Sequence, residues 1–248
     1  MLKIDIITIT YNNHNGLLKT GKSILKQTYK HINWIIVDGN SNDNTINYVH
    51  DLISKPTNNL NIIFHSEDDR GIYDAMNKGI NQAKGDYLLF LNAGDELAYD
   101  DVLTEMFSQL VDRPSIIYGN YYRELKNNNF VCIKAKPLQY IYHSLPTSHQ
   151  AIFYKRVAID TLRYDLKYKV SSDYFFTSKF IKNLNCIEKK DYLIVNNIIA
   201  IFEYNGLSRN NLSELYKDAF DIQKEVFNLN ILLRISSYLF KYVRNKFL

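Results

Sequence analysis

The strongest constraint on this chain is a rhythm in its first 91 residues. Runs rich in β-branched and apolar residues recur at Leu2 to Thr10, Trp34 to Val37, Asn61 to Phe64 and Tyr87 to Leu91. Such runs read as strands. Helical patterns fill the gaps: Leu17, Leu18, Ile24 and Leu25 in the first, Thr45 to Ile53 in the second, Tyr73 to Ala83 in the third. A strand that is apolar on consecutive residues has no face to give to water, so helices must cover the sheet on both sides. The alternation predicts an α/β fold with a mostly parallel sheet flanked by helices. In such sheets ligands bind beyond the carboxyl ends of the strands. The polar clusters of this chain fall there.

The second half is less regular. Ser115 to Tyr122 and Phe130 to Lys134 are expected to pair as a hairpin around Lys126 to Asn129. Gln150 to Tyr154 and Tyr192 to Phe202 read as further strands. Asp173 to Ile181, Leu212 to Phe227 and Ile231 to Val243 read as helices. The chain carries no internal repeat and no low-complexity linker.

Composition narrows the function class. A hydrophobic fraction of 46% and a charged fraction of 23% belong to a folded globular protein and exclude extensive disorder. The 20 tyrosines and 13 phenylalanines are expected mainly in the core. The net charge of +4 resides after Val226, where Arg234, Lys241, Arg244 and Lys246 stand without an acid. The preceding body is neutral, which argues against nucleic acid as a partner. Cys132 and Cys186 are too few for a disulfide framework or a structural zinc site. The chain opens on a strand pattern without a basic, then long apolar leader, so neither signal peptide nor membrane span is expected and the cytoplasm is the expected compartment.

Three clusters carry chemistry. The first joins Thr10-Tyr11-Asn12 to Val37-Asp38-Gly39-Asn40-Ser41-Asn42-Asp43. Asp38, just past a buried strand, is placed to accept from ribose hydroxyls or a base N–H, with a turn-making role as the alternative, and Gly39 permits close backbone approach. Asp43 suits either that contact or a helix start. The second runs from Glu67 to Gly79, with Asp69, Arg70 and Gly71 between strand and helix, where an anion pocket would form. Asp74, Asn77 and Lys78 follow at helical spacing on one face, which fits a site or a solvated surface equally. The third is Gly85-Asp86, then the greasy run to Leu91, then Asn92-Ala93-Gly94-Asp95. A strand ending in oxygen ligands and small residues suits a diphosphate with Mn²⁺ or Mg²⁺, which takes only one or two ligands from protein.

Together, Gly71-Ile-Tyr-Asp-Ala-Met-Asn-Lys-Gly79, Gly85-Asp86 and Leu91-Asn-Ala-Gly-Asp95 resemble the inverting glycosyltransferase family 2, and within it the subgroup that builds bacterial surface polysaccharides. The resemblance spans residues 4 to about 96 closely and extends loosely to about 208. It implies a GT-A fold over 1–210, with a C-terminal helical extension over 211–248. It also implies a nucleoside diphosphate sugar, UDP favoured, as donor, and a saccharide, lipid-linked by expectation, as acceptor. By the same likeness Thr10, Tyr11, Asn12, Asp38 and Asp69 contact the nucleoside end, with Arg70, Asp74, Lys78, Asn92 and Ala93 completing the donor site. Asn92 to Asp95 matches the family's Asp-X-Asp metal region with a departure. Acids usual at its first and third positions are here Asn92 and Gly94, so Asp95 is left as the expected metal ligand.

An inverting displacement also needs a base for the acceptor hydroxyl. In the family this is an acid opening a helix in the second half, and Val170-Ser171-Ser172-Asp173 fits; Asp173 as an ordinary helix-start acid is the alternative. Asp165 is the next candidate. His149 and Gln150, before the Ala151-Ile-Phe-Tyr154 run, are expected on the acceptor side. Asn205 to Arg209 forms a polar loop suited to covering the diphosphate. In the tail, Leu232, Ile235, Leu239 and Tyr242 share one helical face and Arg234, Ser237, Lys241 and Arg244 another. That pattern suits an anionic membrane surface, hence a peripheral seat on the inner face of the cell membrane. Packing on its own domain or on a second subunit are the other readings. Two further functions compete: a catalytically silent nucleotide-sugar or saccharide binder, and a sugar nucleotidyltransferase. The latter needs a glycine-rich basic loop after the first strand, where this chain has Thr-Tyr-Asn-Asn-His-Asn.

Overall fold

The computed structural model describes residues 1–55, 60–108, 110–127, 129–184, 188–204 and 211–246. The expected loop Asn205 to Arg209, Cys186 and the middle of the 126–129 turn lie outside these residues. The first half follows the expected rhythm. Strands β1 (Ile4–Thr10), β2 (Ile32–Asp38), β3 (Asn61–Ser66) and β4 (Tyr87–Phe90) alternate with helices α1 (His14–Leu25), α2 (Thr45–Ser54) and α3 (Ile72–Gln82). Their order is β3-β2-β1-β4, all parallel. Every residue of β1, β2 and β4 is buried, because helices cover both faces.

Beyond β4 the pairing changes character. Short β5 (Glu96–Leu97) and helix α4 (Val102–Phe107) precede the hairpin β6 (Ile116–Glu124) and β7 (Phe130–Ile133). Strand β8 (Ile152–Lys155) runs antiparallel between β4 and β6. Strand β9 (Tyr192–Phe202) lies parallel to β6 and antiparallel to β5. The sheet is therefore parallel in its N-terminal half and mixed in the rest. Helices α5 (Arg156–Ile159), α6 (Ser172–Asn183), α7 (Leu212–Glu225) and α8 (Ile231–Lys246) complete the chain.

Two apolar cores lie on opposite faces of this sheet. One gathers Ile7, Phe90, Tyr154, Tyr164 and Phe176; the other gathers Ile6, Trp34, Leu89, Phe107 and Phe153. Most large aromatics are absorbed here, as expected. Ala219, Ile222 and Val226 bring α7 into the first core. Among the described residues of the expected extension, then, the open apolar face belongs to α8.

The orientation of α8 departs from the expected one. Its basic face turns inward: Arg234 is 8% exposed and its Nε donates to the Phe220 carbonyl at 2.9 Å, with the guanidinium 3.7 Å from that ring's centroid. Ser237 accepts from Gln223 Nε2 at 2.8 Å, and Lys241 lies over the Tyr174 ring. The apolar face, including Leu232 at 74% exposure, Ile235, Leu239 and Phe240, is left outward. Aromatic rings and a backbone carbonyl on the body reward guanidinium and ammonium more than aliphatic carbon. Tyr242 and Arg244 have no described side chains.

Two glycines of the third cluster work at opposite ends of β4. A Cβ on Gly85 would lie 2.7 Å from both the Lys3 carbonyl and Asp5 Oδ1. Its bare backbone lets buried Asp5 accept from the N–H groups of Lys84 and Gly85 at 2.6 Å. Asp86 accepts from the Lys3 N–H at 2.7 Å. Gly85-Asp86 is thus a corner at the amino end of β4, remote from the ligand end where Gly94 sits.

Candidate active site

The carboxyl ends of β1, β2 and β4 converge at one edge, with the crevice between β1 and β4 marking the switch in strand order. Tyr11, directly after β1, is 64% exposed in a protein that packs most of its aromatics into or against its two cores. Gly39 lets it approach Asp69: a Cβ there would stand 2.6 Å from Asp69 Oδ2 and 3.3 Å from Tyr11 Cδ2. Asp69 Oδ1 accepts from the Gly71 N–H at 2.7 Å, which leaves its second oxygen beside Gly39. Asn12, with φ 47°, donates through its N–H to Ser41 Oγ and accepts from the Asn42 N–H, joining the two loops. Thr10 is buried with its hydroxyl lacking a partner among the described residues.

Asp38 behaves differently from the expected ribose contact. It is fully buried; Ser41 donates to it through backbone and hydroxyl, and Ser66 Oγ donates at 2.7 Å. It anchors the 39–43 turn from inside. Asp43 takes the capping alternative, accepting from the His14 and Thr45 N–H groups. The expected common face of α3 is also divided. Asp74 pairs with Arg70 at 2.9 Å, and that bond holds its carboxyl below the usual range. Asn77 clasps the backbone of Tyr164, while Lys78 turns to Glu67 and the Asp68 carbonyl. Helical spacing brought these residues near one another, but their partners pull them apart.

The loop after β4 is held from three directions. Ala93 N–H donates to the Ile9 carbonyl, Asn13 Nδ2 donates to the Ala93 carbonyl, and Thr20 Oγ1 accepts from the Gly94 N–H while donating to the Asp95 carbonyl. Asp95 is 4% exposed, and both its oxygens are engaged: Oδ1 by the Glu203 N–H at 3.0 Å, Oδ2 by Gln150 Nε2 at 2.8 Å. Burial pushes its carboxyl up to about 6, against those two donors. As a metal ligand it fits poorly, since its charge is spent inside the protein. Asn92 Oδ1, by contrast, is buried without a partner among the described residues. No group of three or more His, Cys, Asp or Glu side chains converges as a metal site among them.

Across the loop lies the second-half machinery. His149 stands in a 3-10 turn ahead of β8, with Nε2 3.4 Å from Asn92 Nδ2 and Nδ1 3.4 Å from Asp173 Oδ2. Asp173 sits in the first turn of α6; its Oδ1 accepts from the Tyr174 N–H at 2.7 Å, while Oδ2 faces His149. Gln150 is turned to Asp95 rather than outward, so of the two expected acceptor-side residues only His149 reaches Asp173. Asp165 is a local anchor, accepting from the Lys167 N–H and, through its carbonyl, from Ser172 Oγ.

Residues 5–176 match the family described as Glycosyl transferase family 2. The chain belongs to that family. Among curated relatives, a PGL/p-HBAD biosynthesis glycosyltransferase of Mycobacterium bovis is 32% identical over 189 residues, covering 75% of this chain and 71% of the relative. Glycosyltransferase GlyG of Streptococcus pneumoniae is 30% identical over 120 residues, 48% of this chain and 39% of that one. Among solved structures, S. aureus TarS in complex with UDP superposes with a TM-score of 0.67 at 17% identity, covering 96% of this chain and 70% of that one. The mannosyltransferase PcManGT from Pyrobaculum calidifontis, in complex with GDP-Man and Mn²⁺, gives 0.69 at 13%, with the same coverage. These likenesses establish a GT-A-like fold for this glycosyltransferase.

Sequence reasoning passed over Glu203, which the structure puts beside Gly94 and Asp95 in the glycosyltransferase. The signal was available in principle: it is an acid one residue past the apolar run of β9. What was missing was the pairing of Ile201 with Glu96, which carries that strand end to this loop.

Proposed function

We propose that this enzyme transfers a sugar, with inversion, from a UDP-sugar to a saccharide acceptor in bacterial surface polysaccharide synthesis, the acceptor being lipid-linked. One observation carries the reading: an acid at the start of α6 faces, through His149, the loop that ends β4. The acceptor oxygen attacks the anomeric carbon, its proton passes to the Asp173 carboxylate, and the bond to the diphosphate breaks from the opposite side. His149 orients Asp173. Exposed Tyr11, with Asp69 beside it, offers a stacking face and an acceptor to the nucleoside; buried Thr10 Oγ1, without a partner among the described residues, offers a hydrogen bond. Relatives named for PGL/p-HBAD biosynthesis support the acceptor class, and the neighbours solved with UDP and with GDP-Man support the donor class.

The cofactor in this proposal is Mn²⁺ or Mg²⁺, which supplies positive charge to the departing diphosphate. Asn92 Oδ1, buried without a partner among the described residues, is an oxygen of the right hardness at that loop. Residues 1–210 carry the chemistry. The open apolar face of α8 seats the enzyme on the inner face of the membrane where such acceptors lie, through aliphatic insertion rather than charge. No helix among the described residues is long and apolar enough to cross a membrane.

Asp173→Asn tests the base. Turnover should fall by about 10²- to 10⁴-fold with donor affinity intact, read as nucleoside diphosphate release and as donor binding. A collapse of donor binding would make Asp173 a donor-side or structural residue. A silent binder would instead bind donor and release no diphosphate with acceptor and metal present.

A further inference from the structure

The loop after β4 carries Asn92 and Gly94, and its one carboxylate, Asp95, has both oxygens bonded within the protein. The structure brings a second acid against this loop. Gly94 has φ 110°, and a Cβ built on it would lie 2.7 Å from the Cδ and 3.2 Å from the Oε1 of Glu203, with Oε2 nearer still. The Glu203 carboxylate therefore fills the volume that a side chain on residue 94 would take. Its position is fixed by backbone, through the Glu203 N–H on Asp95 Oδ1 and the pairing of Ile201 with Glu96.

The neighbouring charges leave Glu203 distinct. Glu96 and Glu124 share Lys19 at 3.2 and 3.3 Å, whereas among the described residues no cation stands within ion-pair distance of Glu203. On the same loop, Asn92 Oδ1 is buried and lacks a partner among the described residues. A hard divalent cation on a diphosphate takes oxygen ligands, one or two of them from protein. An anionic and a neutral oxygen on this loop match that demand.

We infer that Glu203, arriving from β9, is the charged oxygen ligand this site presents to the divalent cation on the donor diphosphate, and that Asp95 is the internal brace holding it there. The inference rests on the reading of the protein as a transferase that uses a metal-bound nucleotide sugar. It explains why residue 94 is glycine: the acid comes from another strand, and a side chain on the loop would collide with it.

The test uses the full, metal-stripped chain and follows free Mn²⁺ by electron paramagnetic resonance, with and without UDP. Glu203→Gln should weaken Mn²⁺ binding in the presence of UDP by about tenfold or more, with UDP affinity in chelator and melting temperature unchanged. Glu203→Asp should recover part of the loss. Glu124→Gln, which removes a nearby acid already paired with Lys19, should change Mn²⁺ affinity far less. Wild-type Mn²⁺ affinity in Glu203→Gln overturns this assignment alone. A wild-type protein that binds UDP but never Mn²⁺ overturns the metal reading as well, so the two failures are told apart.

Discussion

Replacing Asp95 with asparagine in metal-free protein tests its internal role through pH. Burial raises its carboxyl from the ordinary 3.8 to about 6, against the opposing Glu203 N–H and Gln150 amide. The folded protein thus holds this proton more tightly than the unfolded chain. The stability linked to it is fully present below the unfolded value and is lost as pH rises through about 6. Between about pH 5 and about pH 7.5 the loss amounts to roughly 1.4 kcal/mol. Asp95→Asn removes the titration, so the stability difference should move by that amount in favour of the variant across this range. A constant penalty sits beneath it: the new amide turns an N–H₂ toward one of two donors, at a cost of about 1–3 kcal/mol. Urea unfolding at both pH values, with equal m-values, measures the difference. A difference that does not change with pH, or moves the other way, would refute a buried, proton-retaining Asp95.

Two further outcomes are expected. Tyr11→Ala should weaken UDP binding by about 1–3 kcal/mol, the usual worth of a base on an aromatic face, with no change in the melting temperature of the ligand-free protein; calorimetric titration reads the first and a thermal scan the second. A double change of Leu232→Glu and Leu239→Glu should abolish sedimentation with vesicles while leaving turnover on a soluble acceptor intact, and wild-type binding should survive high salt, because the charged face of α8 is turned inward.

The legibility of the sequence differed by residue. Continuous apolar strands announced themselves, since burial on both faces leaves a pattern within each segment. The place of Asp173 at a helix start was legible because an acid after Ser171-Ser172 ahead of an apolar run is a local signal. The partners of Asp38 were hidden because the decisive one, Ser66, comes from a neighbouring strand. Those of Lys78 were hidden because spacing names a face without saying which side is wet. The same limit applied to α8. Periodicity separated Arg234 from Leu232, but only the Phe220 ring and carbonyl decided which face would be covered. Glu203 depended on a strand pairing between segments well over a third of the chain apart.

The bracing of Asp95 also has a consequence for how the protein comes into being. Its two partners are supplied by residues 150 and 203, so the loop cannot close when the parallel units that precede it have already been made. Contacts of such sequence separation form late, after the local ones. During synthesis from the amino end, a nascent chain would display a nearly complete nucleotide platform with Asp95 still wet and charged. Competence for transfer would then arrive in one late step, when β9 docks and dehydrates that carboxylate.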